Sequence, residues 1–139
     1  AIEELQQEGY NVELKLADVQ VELIPQEKMP DFYNSIDVYL CASKTEGTPL
    51  TILEAMAMGL PIITTDVGIA KEIFGEKQKN YILKERTKEC LKEKIKELIT
   101  KNEFEVLSKE NIANIKNNDW TKISLKYNEF FEKILNKGM

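Results

Sequence analysis

The chain has no histidine among its 139 residues. That absence excludes imidazole general bases, histidine-containing triads and the common His-containing zinc sites. Cysteine is nearly as scarce. Cys41 sits in an apolar run and reads as a small buried residue, while Cys90 lies in a Lys/Glu-rich segment. Neither has metal-ligand or redox spacing, which points to a reducing, cytoplasmic setting. No G-x-G-x-x-G and no G-x-x-x-x-G-K-[ST] occurs, so the two commonest glycine-rich phosphate fingerprints are missing. No apolar run approaches the roughly 18 residues of a membrane span, and no signal-peptide pattern opens the chain. The only tryptophan, Trp120, lies in the last third. Little therefore supports an extended sugar cleft of the glycosidase type.

What is present is the composition of an ordinary globular domain, 42% apolar and 31% charged. The length suits a single hydrophobic core. The opening Ala1-Ile2-Glu3-Glu4-Leu5 puts apolar residues at helical spacing from the start, as though the chain were cut inside a helix. A fragment, or a coding region that has lost its front, is expected. The net charge of −5 hides an asymmetry: up to Phe74 there are 4 lysines and 13 acids, and from Gly75 onward 15 cations and 11 acids. The basic half interleaves Lys with Glu, as in K-E-C-L-K-E-K-I-K-E-L-I, the mark of solvated helix faces. It lacks the basic patch with interleaved aromatics that nucleic acid would require.

Along the first two thirds, strand-like and helix-like patterns alternate. Asn11–Ala17 alternates apolar and polar residues, as does V-Q-V-E-L-I from Val19, and both predict strands. Lys28–Ser35 carries Met29, Phe32 and Tyr33 at helical spacing, with Pro30 near the first turn. Asp37–Ala42 is almost wholly apolar, predicting a strand covered on both faces. Leu50–Met58 reads as a helix stopped by Gly59, Pro61–Thr65 as a second buried strand, Ile69–Phe74 as a short helix, and Asn80–Leu83 as a last strand. Three helices then follow in series over Thr87–Thr100, Glu103–Asn114 and Trp120–Leu135. The expectation is a Rossmann-like α/β unit over 1–86, a parallel sheet with helices on both faces. Residues 87–139 form a C-terminal helical tail to the same single domain.

Open parallel sheets bind ligands beyond the carboxyl ends of their strands. Ser43–Pro49 (S-K-T-E-G-T-P) is the loop at such an end. Gly47 lets the backbone approach a ligand closely. Thr48 suits an N-cap with Pro49 as the first helical residue. The free amides of Leu50 and Thr51 would then face outward, where they and the helix dipole favour an anion such as phosphate. Thr51-Ile52-Leu53-Glu54 also matches a capping box, with Glu54 bonding back to the Thr51 amide. Residue chemistry leaves both helix starts open, and Pro49 favours the earlier one. A glycosidase carboxylate pair made of Glu46 and Glu54 is a further, weaker reading.

The run S-K-T-E-G-T-P-L-T-I-L-E-A-M-A-M-G-L-P-I-I-T-T-D-V-G resembles the donor-site motif of retaining glycosyltransferases with the GT-B fold. This is the group 1, or family 4, type that includes sucrose and glycogen synthase-like and bacterial polysaccharide enzymes. M-P-D-F-Y-N-S-I-D-V-Y-L resembles that family's approach to the motif, and D-W-T-K-I-S-L-K-Y-N-E-F-F its C-terminal helix. The likeness runs from about Leu14 to Leu135. It implies that Glu46 lies against the transferred sugar at the reaction centre and that Glu54 holds the ribose hydroxyls. It further implies that the backbone of Gly47, Thr48 and Pro49 meets sugar hydroxyls, and that the amides of Leu50 and Thr51 meet the donor diphosphate. Ribose binding by Glu54 would argue against the capping box. The nucleobase would lie near Ile24–Glu27. No metal and no cofactor are implied, so helix dipole and cationic side chains must neutralise the leaving diphosphate.

The chain departs from that family in one respect. A G-R-x-x-x-K-G-like segment, which supplies an Arg and a Lys, is absent; the first 70 residues contain no Arg and only Lys15, Lys28 and Lys44. The acceptor-binding N-terminal domain is absent as well. The resemblance therefore implies a GT-B C-terminal domain without its first strand, leaving a slot with unpaired edges beside the Asp37 strand. The expected function is the donor-binding portion of a hexosyltransferase making polysaccharide or glycolipid from a nucleoside diphosphate sugar. Alone it would be inactive, and the parent would be cytoplasmic, with peripheral association at the inner face of the membrane. The rival is a non-catalytic partner subunit of a split glycosyltransferase. A flavodoxin-like regulatory domain is weaker, because the acidic phosphoacceptor cluster is lacking.

Overall fold

The computed structural model describes residues 1–17 and 24–137. Its centre is a parallel sheet of three strands, β1 (Tyr39–Cys41), β2 (Ile62–Thr65) and β3 (Ile82–Leu83), in that spatial order. Leu40 pairs with Ile63, and Thr65 with Leu83. Helix α1 (Ile2–Gln7) opens the chain, α2 (Met29–Asn34) leads into β1, and α3 (Leu50–Ala57) connects β1 to β2. The short α4 (Ala70–Ile73) follows β2. Helices α5 (Lys88–Lys101), α6 (Phe104–Ile115) and α7 (Trp120–Lys137) complete the chain. This is the expected Rossmann-like class.

All four residues of β2 are buried, so both faces of the sheet are covered. Successive residues point to opposite faces. Ile62 packs with Tyr33, Ile52, Met56 and Phe74 beneath α2, α3 and α4. Ile63 packs with Tyr81, Leu83, Leu98 and Leu107 beneath α5 and α6. Helix α3 ends as the sequence predicts. Gly59 takes a φ of 72°, its amide bonds to the Met56 carbonyl, and the Leu60 amide reaches back to Ala55 at 3.0 Å. Those two bonds form a Schellman stop.

One buried polar group extends the sheet by side chain alone. The Ile62 amide donates to Gln78 Oε1 at 3.2 Å, and Gln78 Nε2 donates to the Ile62 carbonyl at 2.5 Å. The Gln78 amide thus replaces a strand where β3 has not yet begun. Asn111 of α6 locks it in place, donating to Gln78 Oε1 at 2.7 Å and to the Leu60 carbonyl at 2.8 Å.

The structure corrects the sequence reading at Asn11–Ala17. These residues form no strand, and Leu14 and Leu16 are 50% and 69% exposed. Their alternation is strand-like, but a strand exists only where a neighbour accepts its ladder bonds. The strand predicted from Val19 runs through residues 18–23, outside those described. Among the described residues β2 is the only strand neighbour of β1. Beside its other edge lies a cavity of about 570 Å³, lined by Leu14, Leu16, Val38, Leu40 and Leu98 among others. Helix α1 is held elsewhere, against α5, by Leu5 in the core and by ion pairs from Glu4 and Glu8 to Lys88, Lys92 and Lys96.

Helix α7 carries Trp120, Tyr127, Phe130, Phe131 and Ile134 along one stripe, and all of them are exposed. No described helix is long and apolar enough to cross a membrane.

Candidate functional site

The sheet delivers its chain to the candidate loop at Cys41. From there residues 42–49 lead to the first turn of α3. Three contacts from other segments shape that loop. Thr65, at the end of β2, donates its hydroxyl to the Ser43 carbonyl at 2.6 Å. Arg86, just past β3, donates its Nε to the Ala42 carbonyl at 2.6 Å. Gly68, with φ of 53°, lies so close that a β-carbon there would stand 2.2 Å from the Gly47 carbonyl oxygen. The loop is thus pinned on its inner side, while Glu46, Gly47 and Thr48 remain exposed. A β-carbon on Gly47 would meet nothing within 4 Å, so its backbone borders open space.

Helix α3 begins one residue later than Thr48 and Pro49 suggest. Pro49 is the N-cap, with ψ of 93°, and Leu50 is the first helical residue. The proline ring is buried, next to Gly68. No side chain caps the helix. The amides of Ile52 and Leu53 bond to the Pro49 carbonyl, while those of Leu50 and Thr51 find no acceptor among the described residues. Two donors and the positive end of the dipole therefore point out of the loop's end.

The Thr51–Glu54 capping box does not form. Glu54 is half-buried, and its Oε2 accepts a hydrogen bond from the Tyr33 hydroxyl of α2 at 2.7 Å. Tyr33 is 2% exposed, and its ring stands edge-on to Phe32 and to Tyr39, each at 6.0 Å between centroids. Burial first, and then the Glu54 carboxylate, raise the Tyr33 hydroxyl well above its ordinary value. Burial also raises the Tyr39 hydroxyl; a hydrogen bond with Thr51 works against it, and the charges of Glu46 and Glu54 add to it. Both acids of the motif thus bear on Tyr39, at the start of β1.

The sequence-predicted residues Glu46, Gly47, Thr48, Pro49, Leu50, Thr51 and Glu54 occupy one continuous loop and helix start at the carboxyl edge of the sheet. Reasoning from sequence missed Tyr33, Thr65, Gly68 and Arg86. Tyr33 carries a helical-spacing signal that reads simply as core, and nothing in the spacing couples it to a residue 21 positions on. Arg86, the only arginine of the chain, sits in a charged stretch after β3, and only the strand order brings it across to Ala42. Lys71 is paired with Asp66, while Lys44 makes no ion pair among the described residues.

At the carboxyl edge of the sheet the structure thus brings together a pinned loop, two acids around a Gly-Thr-Pro turn and a helix start whose first amides find no acceptor among the described residues. The chain belongs to the glycosyl transferases group 1 family, whose profile matches residues 3–119. It is 44% identical over 45 residues to the lipopolysaccharide core biosynthesis mannosyltransferase LpsB of Rhizobium meliloti, covering 32% of this chain and 13% of that protein. It is 31% identical over 68 residues to the putative teichuronic acid biosynthesis glycosyltransferase TuaC of Bacillus subtilis, covering 49% and 17%. It is 38% identical over 68 residues to the GtfA subunit of a UDP-N-acetylglucosamine–peptide N-acetylglucosaminyltransferase of Streptococcus parasanguinis, covering 49% and 14%. The matched stretch therefore spans less than a fifth of each of these relatives.

Proposed function

We propose that this chain is the donor-binding portion of a retaining glycosyltransferase of the hexosyl type. The parent would move a sugar from a nucleoside diphosphate donor to an acceptor hydroxyl in cell-envelope polysaccharide or glycolipid synthesis. The observation that carries this reading is the pair of amides, Leu50 and Thr51, that find no acceptor among the described residues and are set between Glu46 and Glu54 on a pinned loop. Two free donors at a helix start suit a diphosphate. Glu54, recessed beside them, suits the ribose hydroxyls. Exposed Glu46, with the open backbone of Gly47 and Thr48, suits the transferred sugar, where it orients the ring and offsets positive charge developing at the anomeric carbon. The acceptor would be held by a separate domain, in the same chain or another, so the portion described here binds donor without turning it over. The parent would work in the cytoplasm, peripherally at the inner face of the membrane.

A second reading has its own support. One relative is itself a subunit of its enzyme, and the chain presents an apolar face on α7 and a β1 edge with no strand neighbour among the described residues. A non-catalytic partner subunit of a split glycosyltransferase would use those surfaces to hold its catalytic half.

Isothermal titration with UDP, GDP and ADP tests the first reading. Binding of at least one, lost in Glu54→Ala, is expected. Affinity for none of the three would reject a donor site, and undiminished affinity in Glu54→Ala would remove the ribose role.

A further inference from the structure

We infer that Tyr33 is a positioning residue for the donor ribose: its hydroxyl, bonded to Glu54 Oε2 at 2.7 Å, presets the carboxylate that receives the sugar hydroxyls. This rests on the donor-site reading of Glu54. The argument begins with geometry. Glu54 projects from the second turn of α3, and a glutamate there has three rotatable bonds and several open rotamers. It does not use the helix start, since no side chain caps α3. What holds it is a group from a different element, 21 residues earlier in the chain.

That group is itself immobile. Tyr33 belongs to the core beneath α2 and α3, in the cluster that contains Ile52, Ala55 and Met56 of α3. Its ring is wedged edge-on between Phe32 and Tyr39. Packing of α2 on α3 therefore places the hydroxyl oxygen, and the hydroxyl places the carboxylate. The polarity of the bond is equally settled. Burial and the neighbouring carboxylate keep the phenol protonated across any working pH, so Tyr33 always donates and Glu54 always accepts there.

The arrangement leaves the carboxylate useful. An ionised carboxylate offers about four lone-pair positions, of which Tyr33 takes one. Oε1 has no partner among the described residues. Two adjacent hydroxyls of a ribose need an acceptor whose two oxygens already face them. Without Tyr33 the same carboxylate could still bind, but it would have to be ordered at the moment of binding, which weakens affinity. A buried tyrosine hydroxyl also needs a partner for its own sake. A purely structural bond would change stability alone, whereas a positioning bond changes how strongly the site distinguishes ribose from a sugar without those hydroxyls.

The test measures affinities of the full chain for UDP, GDP and ADP and for their 2′,3′-dideoxy counterparts, by calorimetry. For whichever base binds, the wild type should prefer the ribose form. Tyr33→Phe should reduce that preference about 10-fold while leaving the dideoxy affinity unchanged, because a lost hydrogen bond to a charged group is the only difference. Glu54→Gln should also collapse it, and the double variant should match Glu54→Gln alone. If Tyr33→Phe keeps the wild-type preference while Glu54→Gln removes it, the positioning role is overturned and the donor site stands. If Glu54→Gln also keeps the preference, or no diphosphate binds, the donor-site reading fails and this inference with it. Should Tyr33→Phe not fold, the unmodified chain with 13C-labelled tyrosine rings gives the answer. The Tyr33 signal should move with the ribose diphosphate and not with its dideoxy partner; indifference to both overturns the inference.

Discussion

Gly68 and Gly47 touch backbone to backbone: a β-carbon on Gly68 would lie 2.2 Å from the Gly47 carbonyl oxygen and 2.7 Å from Pro49 Cδ. The turn after β2 therefore serves as the wall against which the candidate loop after β1 is moulded. No side chain intervenes, and the positive φ of 53° is one that glycine adopts without strain.

Gly68→Ala should accordingly damage both fold and site. The clash is with backbone, so the loop must shift and the alanine is strained besides, at a cost of about 1–3 kcal/mol. Urea denaturation should show the lower midpoint, and calorimetry should show weakened nucleoside diphosphate binding. Alanine tolerated with unchanged affinity would mean that the loop is not moulded by this contact.

Gln78→Leu should be among the most destabilising single changes. It leaves the Ile62 amide and carbonyl, both at the centre of the sheet, without their partner. Unsatisfied buried backbone groups cost about 1–3 kcal/mol each, so a loss of roughly 2–6 kcal/mol in unfolding free energy is expected. A change under about 0.5 kcal/mol, the range of ordinary surface substitutions, would contradict the pseudo-strand role.

The docking of α1 on α5 should depend on acid. Hydrogen bonds from Lys88 and Lys92 depress Glu4 from its ordinary 4.5 to about 2. A depressed carboxyl contributes stability that is present above its unfolded value and is lost as pH falls through its folded value. The contribution should therefore be intact above pH 4.5 and fade towards pH 2. Amide exchange of α1 should accelerate over that window, and sooner in high salt because the pairs are exposed. Glu4→Gln should flatten the dependence; an unchanged profile would show that other groups govern it.

The aromatic stripe of α7 should be dispensable in this chain by itself. Phe130 and Phe131 are 56% and 55% exposed. Replacing both with alanine should move the unfolding free energy by less than about 0.5 kcal/mol. The buried Ile52→Ala, by contrast, should cost about 2–5 kcal/mol. A large loss at the two phenylalanines in dilute solution would mean that something already covers this face.

Much of this protein can be read from its sequence. Continuous apolar runs mark β1 and β2 because both faces of a parallel sheet are covered. Gly59 marks the end of α3 because a Schellman stop needs a positive φ. The run from Ser43 to Gly68, with the stretches before and after it, resembles the family's donor-site region closely enough to indicate the family. These are local properties, set by period, backbone freedom and residue order. The tertiary structure decided what depends on neighbours. Asn11–Ala17 has a strand's alternation but pairs with no strand among the described residues, and forms none. Pro49 is buried next to Gly68, and α3 starts at Leu50, one residue beyond what Thr48 and Pro49 suggest. Glu54 could have capped its own helix. It bonds instead to Tyr33, because the packing of α2 against α3 brings a buried hydroxyl within 2.7 Å of it.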